Sequence, residues 1–460
     1  MARKEVAVAP WETLEAFVRE RLRRSRLPGL SLAVVRGEEV AYARGFGFRD
    51  LERKLPATPT TRYGIGSVTK SFTALALMQL VEEGKLSLED PVERFLPLRV
   101  RPFGEPVRVE HLLAHTSGIP ALAYAEAEIR YDQGTGGRPL ALAAVADFVA
   151  WLNGAEGWAE ARPGERWFYL NEGYVLLGGI IQELSGLSYG EYLRERVLKP
   201  LGMEATGFLG EEAPELATPY LVPPEGRPRP GRAAPMAVGS DGALVSTALD
   251  LALYLRMWLR RGAPLVGEEA YRELLRPRVP VPGEPLWPGP LGPAQYALGL
   301  MVQPFFGRTL VGHGGSVLVY TAHLAFLPEE GLGVAVLANG SGYPLAQIAQ
   351  AALALLLGEP LEALPFYRLE ALGERIFGLY ATYGDTLRVT LRPQAGGVEL
   401  RVEDREAPQS VLLAWEALGE GEVRLRALLG DRALPVAVRL SDPPVLLYER
   451  YKLRRVGGLA

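Results

Sequence analysis

Strand-like runs stand at both ends of the first 358 residues, with a long helical stretch between them. That order narrows the fold more than any other feature of the chain. Leu32 to Val35 and Val40 to Arg44 flank the turn Arg36-Gly37-Glu38-Glu39 and read as a hairpin. Residues 85 to 290 read as mostly helical, broken by irregular connections at Ala121 to Pro139, Ala213 to Pro235 and Pro282 to Pro293. From Tyr296 the pattern returns to strands, at Ala297 to Val302, Thr309 to Gly312, Tyr320 to Phe326 and Gly333 to Ala338, and a helix follows over Leu345 to Leu357. An α+β fold follows: one antiparallel sheet assembled from both ends of the segment, with helices on its faces.

Two further helices are legible before the insertion. Trp11, Leu14, Phe17, Val18 and Leu22 recur at helical spacing over residues 11 to 26, and Ser67 opens an apolar helix reaching about Glu83, with Gly84 at its end. A third begins after Ser246-Thr247 and runs through Leu259. Gly358 to Leu364 reads as a linker. Beyond it, short runs at Leu387 to Leu391, Val398 to Val402, Val411 to Trp415, Val423 to Ala427, Val436 to Leu440 and Val445 to Tyr451 predict a small all-β domain of barrel type. The expected organisation is a first domain over residues 1 to 360 and a second over 365 to 460.

Composition removes several function classes. Basic residues number 50 against 54 acidic ones, a net charge of −4, which argues against a nucleic-acid partner. No cysteine is present, so disulfides, thiolate catalysis and cysteine-held metals are excluded. No stretch reads as a membrane span, and the charged start Met1-Ala2-Arg3-Lys4-Glu5 runs into an amphipathic segment, so the expected location is cytoplasmic. The scarcity of asparagine and the lack of cysteine fit a heat-adapted protein. The excess of arginine over lysine fits a GC-rich coding sequence as well.

Ser67 and Lys70 carry the first chemical signal. Three residues make about one helical turn, so the two side chains share a face. A partly desolvated lysine beside a serine hydroxyl can lose its charge and accept the hydroxyl proton. Two further pieces stand downstream, Tyr169-Leu170-Asn171 and His313-Gly314-Gly315. His111 and His115 are four apart, but no glutamate between them completes a metalloprotease pattern, and no metal site is expected.

Five ordered strings together resemble the serine beta-lactamase and penicillin-binding-protein superfamily, in its branch of serine hydrolases similar to class C beta-lactamases. They are Ser67-Val68-Thr69-Lys70, Leu113-Ala114-His115-Thr116-Ser117-Gly118-Ile119-Pro120, Tyr169-Leu170-Asn171-Glu172-Gly173-Tyr174, Gly242-Ala243-Leu244-Val245-Ser246-Thr247 and Gly312-His313-Gly314-Gly315. The resemblance covers about residues 10 to 358. It implies a beta-lactamase/transpeptidase-like sheet with a mainly helical subdomain and a catalytic set of Ser67, Lys70, Tyr169 and His313. In that set Ser67 is the nucleophile, and Lys70 and Tyr169 handle protons, the phenolate of Tyr169 being favoured by the lysine charge. Asn171 holds Lys70 and the substrate amide. Gly314 and Gly315 let substrate lie against their strand, and the N–H groups of Ser316 and Ser67 form an oxyanion hole.

The resemblance also implies no cofactor, and a small-molecule or short-peptide substrate. His313 stands where penicillin-recognising members carry lysine, which points away from carboxylate-anchored beta-lactams and towards a D-amino-acid-type peptidase or amidase. The alternatives are a carboxylesterase, a penicillin-binding DD-carboxypeptidase and a non-catalytic ligand sensor. The β domain is similar to the lipocalin-like barrel that trails some relatives. Three roles stay open for it: narrowing the cleft to short substrates, assembling a homo-oligomer, or acting as an inert module.

Overall fold

The computed structural model describes residues 10–136, 139–223, 226–233, 238–283, 289–317, 319–394, 397–403, 409–419, 421–429 and 432–459. They form two compact units, one of residues 10–283 and 293–359, the other of 360–459 with 289–292.

The first unit is built on a nine-stranded antiparallel sheet. Its strands in chain order are β1 Gly29–Arg36, β2 Glu39–Asp50, β3 Leu55–Pro56, β4 Val279–Pro280, β5 Gln295–Tyr296, β6 Met301–Phe305, β7 Arg308–Ser316, β8 Thr321–Leu327 and β9 Leu332–Ala338. The spatial order is β3-β2-β1-β9-β8-β7-β6-β5-β4. The amino-terminal hairpin thus pairs with the last strand, Leu30 opposite Ala338 and Arg36 opposite Leu332. All seven residues of β9 are buried, which requires cover on both faces of the sheet. Helices α1 (Trp11–Ser25), α5 (Ala248–Leu259) and α6 (Leu345–Leu357) supply it. The Thr247 hydroxyl accepts from the Asp250 N–H and caps α5.

The helical insertion holds α2 (Thr69–Glu82), α3 (Tyr124–Asp132) and α4 (Asn171–Ser185). In α2 every residue from Thr69 to Leu80 is buried, so it is a central helix, not an amphipathic surface one. A one-turn 3₁₀ segment, Gly66–Val68, precedes it and carries Ser67.

Three local expectations are corrected. Ala297 to Leu300 is no strand: Tyr296 pairs with Met301, and the Ala297 N–H bonds to the Leu300 carbonyl around Gly299 at φ +76°, a tight turn. The strand begins at Met301. Within Ala121 to Pro139, expected to be irregular, residues 124–132 form α3. Beyond Glu359 the expected linker contains the short turn Leu361–Ala363 and runs into a helix, α7 (Pro365–Ile376), with Pro365 in its first turn, where a missing N–H costs nothing.

The second unit is a closed antiparallel barrel of eight strands where the sequence pattern showed six: β10 Gly378–Ala381, β11 Arg388–Gln394, β12 Gly397–Val402, β13 Gln409–Leu418, β14 Glu422–Leu429, β15 Arg432–Arg439, β16 Val445–Tyr448 and β17 Tyr451–Gly457. Each strand pairs with the next, and β10 closes on β17. The run Val445 to Tyr451 is two strands joined at Glu449-Arg450, Glu449 lying at φ +50°. Val389, Leu391, Leu400, Leu413, Leu425, Val438 and Leu453 fill the interior, and closure leaves no free edge.

Candidate active site

Ser67 sits in the turn that feeds α2, partly open to solvent, while Lys70 one turn later is fully buried. The Lys70 ammonium faces three oxygens: Ser67 Oγ at 3.2 Å, Asn171 Oδ1 at 2.8 Å and the Asp241 carbonyl at 2.6 Å. Asn171 arrives on the first residue of α4 and Asp241 on the segment before the strand Leu244–Ser246. Burial pulls the Lys70 pKa down to about 8, against the opposing attraction of the Asp241, Glu172 and Glu126 carboxylates. The first turn of a helix, its positive end, also disfavours a cation there. A lysine so placed can take a proton from Ser67 near neutral pH.

Tyr169 immediately precedes this first turn of α4 through Leu170, and Lys70 Nζ lies 4.9 Å from its ring centre. Its hydroxyl is buried and makes no hydrogen bond of good geometry, although Ser67 is near enough to draw its pKa down. Burial outweighs that pull and raises the pKa, so the group is a phenol. The expectation that the lysine charge favours the phenolate is therefore corrected: desolvation wins.

β7 passes beside the Ser67 turn. A Cβ at Gly315 would meet Ile65 O at 1.9 Å and Ser67 N at 3.0 Å. One at Gly66, which lies at φ +50°, would meet Ser316 N at 2.6 Å. Only glycine permits this approach, and it brings the Ser67 and Ser316 amides to one narrow gap. The opening N–H groups of a helical segment have no intrahelical acceptor, so the Ser67 amide suits an anionic oxygen. Gly314 is half-buried and pairs with His323 on β8.

His313 is buried on the same strand. Its Nδ1 lies 2.5 Å from the Gly314 carbonyl and so carries the proton, and Nε2 accepts from the Tyr296 hydroxyl at 2.9 Å. Burial, and then the charge of Lys70, push its pKa down to about 3. This ring is neutral around pH 7 and both its nitrogens are occupied.

Several residues at the site were not singled out from the sequence. Glu172, beside Asn171 in α4, and Asp241 are buried carboxylates tied to one residue, Tyr124: its N–H reaches Glu172 Oε1 at 3.4 Å and its hydroxyl bonds Asp241 Oδ2. Burial pushes Glu172 up to about 7 and raises Asp241 as well. Glu172 lies inside a quoted string and Asp241 directly precedes another, so adjacency was the available signal. Tyr174, in the same string as Glu172, and Trp167 and Tyr296, which no local pattern marks, complete an aromatic wall around Lys70 and Tyr169. The two histidines four apart serve backbone: His111 Nδ1 accepts from Arg108 N–H and His115 Nδ1 from Leu170 N–H.

The comparisons agree with this architecture. Residues 14–358 match the Beta-lactamase family model, and residues 360–454 match the Pab87 octamerisation domain. The octameric penicillin-binding protein homologue from Pyrococcus abyssi is 42% identical, with a TM-score of 0.90 over 97% of this chain and 100% of that one. Protein flp of Staphylococcus aureus (strain MW2) is 33% identical over 200 residues, which are 43% of this chain and 38% of the relative's length. The unguisins hydrolase ungD' of Aspergillus campestris is 28% identical over 70% of this chain and 60% of its own length. The chain thus spans less than two thirds of these curated relatives. By its first 358 residues, the chain belongs to the beta-lactamase family, with that family's serine-hydrolase fold.

Proposed function

We propose that the protein is a cofactor-free serine hydrolase that cleaves small amides through an acyl-enzyme, with amino-acid amides and short peptides of D-configuration as preferred substrates. The observation that carries this reading is the Lys70 amine, 3.2 Å from Ser67 Oγ and pulled down to about 8. Neutral Lys70 takes the Ser67 proton as Oγ attacks the substrate carbonyl carbon. The carbonyl electrons move onto oxygen, which the Ser67 and Ser316 N–H groups hold. The tetrahedral adduct collapses, the C–N bond breaks, and the Tyr169 phenol gives its proton to the departing amine. Water then attacks the ester carbonyl carbon, losing a proton to the Tyr169 phenolate; the bond to Ser67 Oγ breaks, Oγ takes its proton back from Lys70, and the acid leaves.

Charge supports an ammonium-bearing substrate over a carboxylate-anchored one. Neutral His313 offers no cation. On α3, Glu128 and Asp132 line a hollow shared with Arg232, Val317 and Val319, just beyond Ser316, so two carboxylates face one cation there, and Glu126 acts electrostatically on both Lys70 and Tyr169. The D-preference rests on the family resemblance of the His313-Gly314-Gly315 strand. We further propose that the chain assembles as a homo-octamer through its barrel, a reading supported by the octamerisation-domain match and the octameric homologue.

A fluorophosphonate probe tests the hydrolase reading. The folded protein is expected to be labelled once, and Ser67→Ala to remove the label; an unlabelled folded wild type sinks the reading. D- and L-alanine p-nitroanilides test the configuration, equal cleavage counting against D-preference. An esterase would instead turn over p-nitrophenyl acetate and neither anilide.

A further inference from the structure

We infer that His115 is the positioning residue for Tyr169: it holds that phenol beside Lys70. This rests on the hydrolase reading above. The segment Leu113 to Gly118 underlies the whole loop that delivers Tyr169. The Gly118 carbonyl accepts from Glu160 N–H, Thr116 O from Gly164 N–H at 2.7 Å, and His115 O from Phe168 N–H at 2.8 Å. The His115 ring adds a fourth bond, accepting the Leu170 N–H on Nδ1 at 3.0 Å. Both neighbours of Tyr169 in the chain are therefore tied to one residue.

The ring also packs at a tilt against its client. His115 and Tyr169 have ring centres 4.1 Å apart at 33°, with Tyr174 at 5.0 Å, Tyr296 at 4.9 Å and Trp167 at 6.4 Å around it. The side chain is 1% exposed. Since Nδ1 accepts, Nε2 carries the hydrogen, and that atom is buried with no hydrogen-bond partner among the described residues. The backbone lies at φ +58°, in the left-handed region that asparagine, aspartate and histidine enter more often than other non-glycine residues. A buried polar group left unbonded costs stability, and it persists where other contacts hold the ring in place. Filling space in a core would not need it. Among the described residues the Tyr169 hydroxyl makes no hydrogen bond of good geometry to fix its ring, whereas His115 meets that ring and both flanking amides.

The test is a double-mutant cycle on the rate of Ser67 labelling and on anilide kcat. Tyr169→Phe is expected to slow turnover by roughly 10²-fold. His115→Ala should lose a comparable factor and Tyr169→Phe/His115→Ala no more than Tyr169→Phe alone, because both act through one hydroxyl. His115→Asn, which tolerates left-handed backbone and can accept the Leu170 N–H, should recover most of the rate. Losses that multiply in the double variant overturn the inference. If His115→Ala does not fold, nitrogen NMR of wild-type histidines decides: Nδ1 unprotonated and Nε2 protonated is expected, and the opposite tautomer removes the clamp. An unlabelled wild type would defeat the hydrolase reading itself, whereas multiplied losses in a labelled protein defeat only this one.

Discussion

At the scale of single residues, the balance at Lys70 sets the working range. Burial disfavours its ammonium, and the Asp241, Glu172 and Glu126 carboxylates favour it, leaving the pKa at about 8. The proton acceptor is the neutral amine, so acylation should rise as pH climbs through about 8 and fall about tenfold per unit below it. His313, at about 3, contributes nothing to that limb. Asp241→Asn removes an attraction for the ammonium and keeps the backbone carbonyl that holds Nζ. Its pH–rate limb should therefore move to lower pH, measured by probe labelling across pH 5 to 10; a limb that stays in place shows that the Asp241 carboxylate does not act on Lys70.

Between elements, the site depends on how closely β7 approaches the Ser67 turn. Gly315 permits that approach, because a Cβ there would overlap the Ile65 carbonyl. Gly315→Ala must push the strand from the turn and separate the two amides. The expected result is a loss of roughly 10²-fold in labelling rate, with a stability cost of about 1–3 kcal/mol in a denaturant titration. A fully active Gly315→Ala protein would show that the two amides do not work as a pair. The turn at Gly299 has a related part on the other side: a Cβ there would come within 2.8 Å of the Lys70 carbonyl, so it seals the back of the helix that presents the lysine.

For the whole molecule, the two units are separate solutions to the same problem of unpaired sheet edges. The first ends its broad sheet in the two-residue strands β3 and β4, and the second closes a smaller one on itself. The proposed octamer predicts a light-scattering mass eight times that of the 50.1 kDa chain. It also predicts a smaller species for residues 10–359 alone, and an intact octamer mass for that truncated chain removes the barrel from the assembly.

The sequence by itself determined the strand–helix–strand order of the first domain, the family, and the nucleophile–lysine turn, because each is written in neighbouring residues: periodicity, a three-residue spacing, a pair of glycines. Tertiary structure alone decided the electrical character of the site. Tyr169 remains a phenol and His313 a neutral ring because water is excluded around them, and exclusion depends on packing between segments far apart in the chain. Asp241 reaches Lys70 across 171 residues, and His115 reaches Leu170 across 55. No local pattern registers such contacts, since the free energy that places them belongs to the assembled core.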